Sequence, residues 1–157
     1  MHLSRSKSVA ARQWRVVLAG IALALVVVPA AAQSAVIGQV KLSSGVAEVV
    51  RGGQVLPATV GLALLESDVI RTGADGRLGV SLRDETRLSF GPRTELVLSR
   101  FVYAPAEDRL GISMRLIRGT LSYISGRIAK LAPAAVTIET PTSVIGVRGT
   151  HLVIRAE

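Results

Sequence analysis

The chain has 157 residues, a formal charge of +8 and no cysteine. The missing cysteines exclude disulfide staples, thiolate metal sites and Cys–His nucleophiles, so the fold must rest on its hydrophobic core. Aromatics are only 3% of the chain, few for a base-stacking platform or a sugar-stacking site, and no basic stripe tracks a phosphate backbone, so nucleic acid is not an expected partner.

Residues 1–15 carry Arg5, Lys7, Arg12 and Arg15 and no acid. The uncharged run "VVLAGIALALVVV" follows at 16–28, then Pro29 and Ala30–Ala32. A basic segment, an apolar segment and a small-x-small site make a secretory signal peptide, with a signal helix and a cut between Ala32 and Gln33. The apolar core is shorter than the roughly 20 residues that span a bilayer. The alternative is an uncleaved N-terminal anchor. The expected location is therefore periplasmic or secreted, with the membrane met only during export or through an uncleaved leader. Cleavage removes four of the 19 basic residues and no acid, which leaves 15 against 11 and a charge of +4. Residues 33–157 then form one domain, long enough to bury about two-thirds of its unfolded surface.

Past the leader, short runs of period two dominate. The first is Val46–Val50, closed by a turn at "RGGQ" (51–54). "GADGR" places Asp75-Gly76 before a strand, a pair that supplies the positive φ of a tight hairpin. Leu78, Val80 and Leu82 alternate with Arg77, Gly79, Ser81 and Arg83; Thr86, Leu88 and Phe90 alternate with Arg87 and Ser89. Between them stands Asp84-Glu85. Glutamate tolerates positive φ poorly, which favours a turn wider than two residues. After the turn "FGPR" (90–93) come Glu95–Tyr103 and the alternating Leu110, Ile112, Met114 and Leu116, a run broken at Gly119. Leu121–Ile124 follows. "YISGRIAKLAP" (123–133) has Ile124, Ile128 and Leu131 at helical spacing, but Gly126 and the β-branched residues favour a loop. Ala135–Thr140 and Leu152–Arg155 end the series. Each run has one apolar and one polar face, as a half-buried antiparallel strand requires. The expected fold is all-β: a single compact sandwich, roll or short solenoid of about ten short, mainly antiparallel strands.

The search for chemistry is mostly negative. His151 is the one histidine after the leader, and G-x-S-x-G, G-x-x-x-x-G-K-[ST] and G-x-G-x-x-G are absent. Carboxylates pair at Glu66/Asp68, Asp84/Glu85 and Glu107/Asp108. Neighbours on a strand point to opposite faces, so only Glu66 and Asp68 would converge, if that stretch is extended. A glycan-acting enzyme would need them and a distant third partner. No catalytic residue, metal or cofactor is expected. Arginines 77, 83, 87, 93, 100, 115 and 118 fall mostly on polar strand faces. They form either a solvated face that resists edge pairing or a surface for an anionic partner, such as phospholipid head groups or an acidic protein.

The order of landmarks carries more. "DVIRTGADG" fits D-x-[IV]-x-T-G-x-D-G through Asp68, Thr72, Gly73, Asp75 and Gly76. "LRDETRLSFGPRTEL" follows, then "LIRGTLSYISGRIAK". "IETPTSVIGVRGTHLVI" fits a late T-P-x-x-x-[IV]-G-V-R-G-T through Thr140, Pro141, Gly146, Arg148, Gly149 and Thr150. In this the chain resembles the FecR domain family of Gram-negative envelope proteins, over nearly all of residues 37–155. The resemblance implies an extracytoplasmic all-β module. In the family's regulators that module relays a signal from an outer-membrane iron-siderophore transporter to a cytoplasmic sigma factor. Here only 15 residues precede the apolar run, no C-terminal lobe follows, and Glu85 stands where the family usually has Gly. The expectation is a stand-alone exported FecR-like module, non-enzymatic, which binds, scaffolds or signals to an envelope protein, with strand-edge addition as a plausible mode. The alternative is a membrane-anchored regulator of iron-uptake signalling. In the late motif, a strand, a Pro-marked turn, a glycine crossover and a last strand are expected. Gly146 and Gly149 would serve backbone geometry or close packing. Arg148 would tie the crossover to a carboxylate or carbonyl.

Overall fold

The computed structural model describes residues 35–149 and 151–157. The signal helix, the cut between Ala32 and Gln33, and Thr150 lie outside the described residues. Twelve strands run in chain order: β1 (Val36–Ser44), β2 (Ala47–Arg51), β3 (Gln54–Pro57), β4 (Ala63–Leu65), β5 (Val69–Thr72), β6 (Arg77–Leu82), β7 (Arg87–Phe90), β8 (Glu95–Ala104), β9 (Arg109–Ile124), β10 (Val136–Glu139), β11 (Val144–Gly146) and β12 (His151–Ala156). A short helix, α1 (Arg127–Leu131), lies between β9 and β10.

The strands join in one curled sheet in the order β3-β2-β5-β8-β9-β7-β6-β1-β4, with β10 and β12 also on β9, and β11 on β10. All pairs are antiparallel except β9 with β10. The all-β, mainly antiparallel expectation holds. The strands are short as expected, except β8 with 10 residues and β9 with 16. Strand β9 organises the molecule. Its first part pairs with β8 and β10, its last part with β7 and β12. Apolar residues from both halves meet in one cluster. Val49, Ile70, Leu96, Met114 and Leu116 come from the first half, and Val40, Leu78, Leu88, Leu121 and Tyr123 from the second. Each fully buried aliphatic side chain contributes about 1.5–3 kcal/mol.

Several local expectations change. Gly119 does not end a strand: β9 runs through it with φ +92° at the handover between partners. Strand β1 escapes the alternation pattern because its register shifts between Val40 and Leu42, which leaves Lys41 and Leu42 both exposed. Asp75-Gly76 makes no hairpin, since β5 and β6 do not pair with each other. Gly76 lacks a positive φ and is needed for space: a Cβ there would sit 2.1 Å from the Val46 carbonyl oxygen. Residues 127–131 are helical rather than a loop. The Asp84 carbonyl accepts Arg127 N–H at 2.7 Å and its carboxylate accepts Ile128 N–H at 3.3 Å, so two donors of the helix start find partners that no local sequence supplies.

The turn between β6 and β7 is wider than two residues, as expected. Leu82 N–H donates to the Thr86 carbonyl at 2.8 Å around three loop residues. Glu85 nevertheless takes φ +69°. A non-glycine residue in that region costs about 1–2 kcal/mol. Glu85→Gly should therefore stabilise the fold by about 0.5–1 kcal/mol. The exposed Glu85–Arg127 ion pair that it loses is screened by solvent and offsets little. A higher urea midpoint at unchanged slope is the expected readout; an unchanged or lower midpoint contradicts it.

Candidate functional site

Asp68 sits just before β5 and is buried, with 1% exposure. Residues 66–68 form a turn rather than an extended stretch, with Ser67 at φ +71°. Glu66 and Asp68 therefore do not converge. The Asp68 carboxylate accepts Arg51 Nε at 2.8 Å, an Arg51 terminal nitrogen at 2.7 Å and Leu65 N–H at 2.8 Å. Arg51 also donates to the Ala63 carbonyl at 2.7 Å. The hydrogen bond to Asp68 raises the Arg51 guanidinium further above its ordinary value. This bidentate pair ties the β2–β3 hairpin to the β4–β5 turn. Glu66 accepts Phe101 N–H at 3.0 Å, where β8 is bulged against β9. The two carboxylates are held apart by these different partners, so the convergence a glycan-acting site would need is not present. Arg51 was invisible as a partner, because 17 residues separate it from Asp68.

The remaining early-motif residues also make contacts within the fold. Thr72 Oγ1 donates to the Gly91 carbonyl at 2.6 Å and accepts Thr94 N–H at 2.8 Å. Thr94 Oγ1 donates to the Gly91 carbonyl at 2.9 Å and accepts Thr120 N–H at 3.0 Å. These threonines stitch β5, the β7–β8 turn and the bend of β9. A Cβ on Gly73 would lie 2.9 Å from Val46 Cβ. Asp75 Oδ1 accepts Val46 N–H at 3.3 Å.

Asp84 is fully buried. Its carboxylate accepts Thr86 N–H at 3.1 Å and Thr86 Oγ1–H at 2.8 Å, besides Ile128 N–H. A Cβ on Gly126 would meet Thr86 N at 2.3 Å and the Asp84 carbonyl oxygen at 2.4 Å. Burial raises the neighbouring Tyr123 phenol above its ordinary value. Thr86 and Ser125 lie beside it, but Thr86 Oγ1 is committed to Asp84 and Tyr123 Oη completes no hydrogen bond among the described residues.

The late motif behaves differently. Thr140 and Ser143 close the β10–β11 hairpin: Thr140 N–H donates to the Ser143 carbonyl at 2.8 Å, and Ser143 N–H donates to Thr140 Oγ1 at 3.1 Å. Pro141 is exposed in that turn. Gly149 takes φ +152°, and its carbonyl accepts Ser125 Oγ. Gly146, on β11, has neither a positive φ nor any atom within 4 Å of a Cβ position. The fold does not require glycine there, contrary to expectation. Arg148 is exposed and makes no hydrogen bond or ion pair among the described residues, so the expected tie to a carboxylate or carbonyl is absent. Glu139, nine residues before it, is already engaged by Arg115 at 2.9 Å. Beyond β10, β11 pairs with no strand among the described residues, and Val144 on it is 71% exposed.

His151 is exposed at the start of β12, with Nε2 hydrogen-bonded to Ser122 Oγ at 2.9 Å. Among the described residues no group of His, Asp and Glu is placed to hold a metal ion, and no helix is long and apolar enough to cross a membrane. In a comparison with protein families, the model described as FecR protein matches residues 68–157, from the buried Asp68 onward. Comparisons with curated proteins and with solved structures gave no match.

Proposed function

The chain belongs to the FecR protein family, and from that premise we propose that it is a non-enzymatic, exported signalling or scaffold module that holds an envelope protein on the free edge of β11. Gly146 carries this reading. A strand glycine that neither torsion nor internal packing requires leaves room for another backbone to approach. Its hairpin presents unpaired backbone groups and the exposed Val144, a suitable template for an added strand. The acids support a non-enzymatic role, since Glu66, Asp68 and Asp84 are all held by structural hydrogen bonds. Export rests on the basic, apolar and small-x-small order of residues 1–32.

The test compares wild type with Gly146→Leu, which adds a bulky side chain at the open edge and should leave the melting curve almost unchanged. Affinity capture from envelope extracts should recover a specific protein with wild type and lose most of it with the variant. Recovery of nothing specific, or equal recovery with both chains, defeats the proposal.

A further inference from the structure

Charges on the outer face of β5, β8, β9 and β10 are paired across strands. Arg71 bonds Glu95 at 3.1 Å, Glu95 also bonds Arg118 at 3.2 Å, and Arg115 bonds Glu139 at 2.9 Å. Such pairs neutralise the face. The pairing stops at β11. Gly146 stands opposite Thr137 and Val144 opposite Glu139, so the exposed side of β11 continues the same face. Val147 N–H donates to the Val136 carbonyl at 3.4 Å, which carries the pairing one residue past β11. Exposure alternates along this segment. Val144, Gly146 and Arg148 are exposed, Ile145 is half-buried and Val147 is buried. Residues two apart on an extended chain share a face. The outer row along the free edge is therefore an aliphatic side chain, a gap and a cation.

The cation is uncompensated. Arg148 makes no ion pair among the described residues, and Glu139, at the Val144 end of the row, is taken by Arg115. With Gly149, Ala129, Pro133 and Ala134, Arg148 lines a recess of 490 Å³, which leaves room for a side chain that reaches it.

We infer that the segment received by this edge is an acidic, amphipathic strand of the order acid-x-large-x-aliphatic. Antiparallel pairing, the more stable per residue, sets its acid opposite Arg148, its large side chain opposite Gly146 and its aliphatic one opposite Val144. This rests on the β11 edge proposed above and names the chemistry of what that edge receives. The edge selects a polypeptide, because its row of unpaired N–H and C=O groups is matched in series by another strand and not by a lipid tail or a sugar ring. The gap selects a large side chain, since an aromatic ring over an edge glycine covers backbone that the glycine leaves bare. Arg148 selects an acid, because a carboxylate opposite it forms a charge-assisted pair and an ammonium is repelled.

The test uses protein recovered from cells that express the whole chain, titrated with labelled synthetic peptides. The first peptide is Thr-Glu-Thr-Phe-Thr-Val-Thr. The second has Lys in place of Glu, and the third has Gly in place of Phe. Wild type should bind the first about fivefold more tightly than the second, as one exposed charge-assisted contact requires. Arg148→Glu, at an exposed side chain with no internal bond, should reverse that order. Arg87→Glu makes the same charge change on β7 and should leave the order as in wild type. Replacing Phe by Gly in the peptide should weaken binding to wild type and have little effect on binding to Gly146→Leu, where the gap is already filled. Equal affinity for the Glu and Lys peptides, or a preference that survives Arg148→Glu, overturns the inference. If Gly146→Leu still weakens both peptides in that case, the β11 edge stands and only the acidic class falls. Binding of neither peptide by wild type also overturns the inference, and the edge itself is then decided by the capture from envelope extracts.

Discussion

Gly119→Ala should cost about 4 kcal/mol or more, a large fraction of the roughly 5–15 kcal/mol that holds a typical domain folded. Gly119 lies where β9 leaves β8 and β10 and joins β7 and β12. Two costs meet there. Its φ of +92° is one that side chains rarely adopt, and its Cβ would fall 2.4 Å from Thr94 Cα and 2.8 Å from the Arg93 carbonyl oxygen. Those are backbone atoms of the β7–β8 turn, so no side-chain rotation relieves the clash. Moving that turn would also pull Thr94 Oγ1 away from Thr120 N–H and the Thr120 carbonyl. Gly61 separates the two costs. It has almost the same torsion, φ +91°, with nothing within 4 Å of a Cβ position. Gly61→Ala should cost only about 1–2 kcal/mol. Urea unfolding of both variants checks this, and the difference measures the steric contribution of the bend. Equal destabilisation by the two substitutions would mean that the bend can relax.

The same distinction explains what could be read from the sequence. The hairpin β6–β7 was legible because both strands alternate cleanly and a polar tetrapeptide joins them. Strand β1 was not, because its bulge places Lys41 and Leu42 on the same side of the pattern. Strands β3, β4, β5 and β11 place two or three apolar residues in a row within three or four positions, so unlike the equally short β7 they show no alternation. Glycines were the hardest residues to interpret. Gly76 looked like a torsion requirement and is a space requirement; Gly146 looked internal and faces open space. A sequence marks where glycine is present but not whether backbone torsion, a crowded neighbour or an outside partner demands it. The motif residues were found by their order along the chain. Their tertiary partners were not, since Arg51 and Asp68, or Thr94 and Thr120, meet only after the sheet has curled. The Arg–Glu pairing on the outer face and its end at Arg148 depend on register across strands. That register cannot be read from a list of arginines.

Asp84→Ala should destabilise the fold by about 3–5 kcal/mol, through a different mechanism. No bulk is added, and the cavity is small. The loss is electrostatic, because Thr86 N–H, Thr86 Oγ1–H and Ile128 N–H all donate to one fully buried carboxylate. Each buried donor left without a partner costs about 1–3 kcal/mol, and the three costs are not fully additive. Asp84→Asn should recover roughly half of the loss. Its oxygen can still accept Thr86 N–H, and its NH₂ can donate to Thr86 Oγ1, but it then faces Ile128 N–H donor to donor. The damage should also be local before it is global. Without the carboxylate, the single turn of α1 loses one of its two N-terminal anchors, so Ile128 and Ala132 amides should exchange much faster than those of the β2–β3 hairpin. Uniform acceleration would mean that Asp84 stabilises the whole sheet rather than the junction between the β6–β7 turn and α1. An unfolding free energy within about 0.5 kcal/mol of wild type in urea titration would mean that water replaces the carboxylate, and that the buried aspartate is not needed for folding.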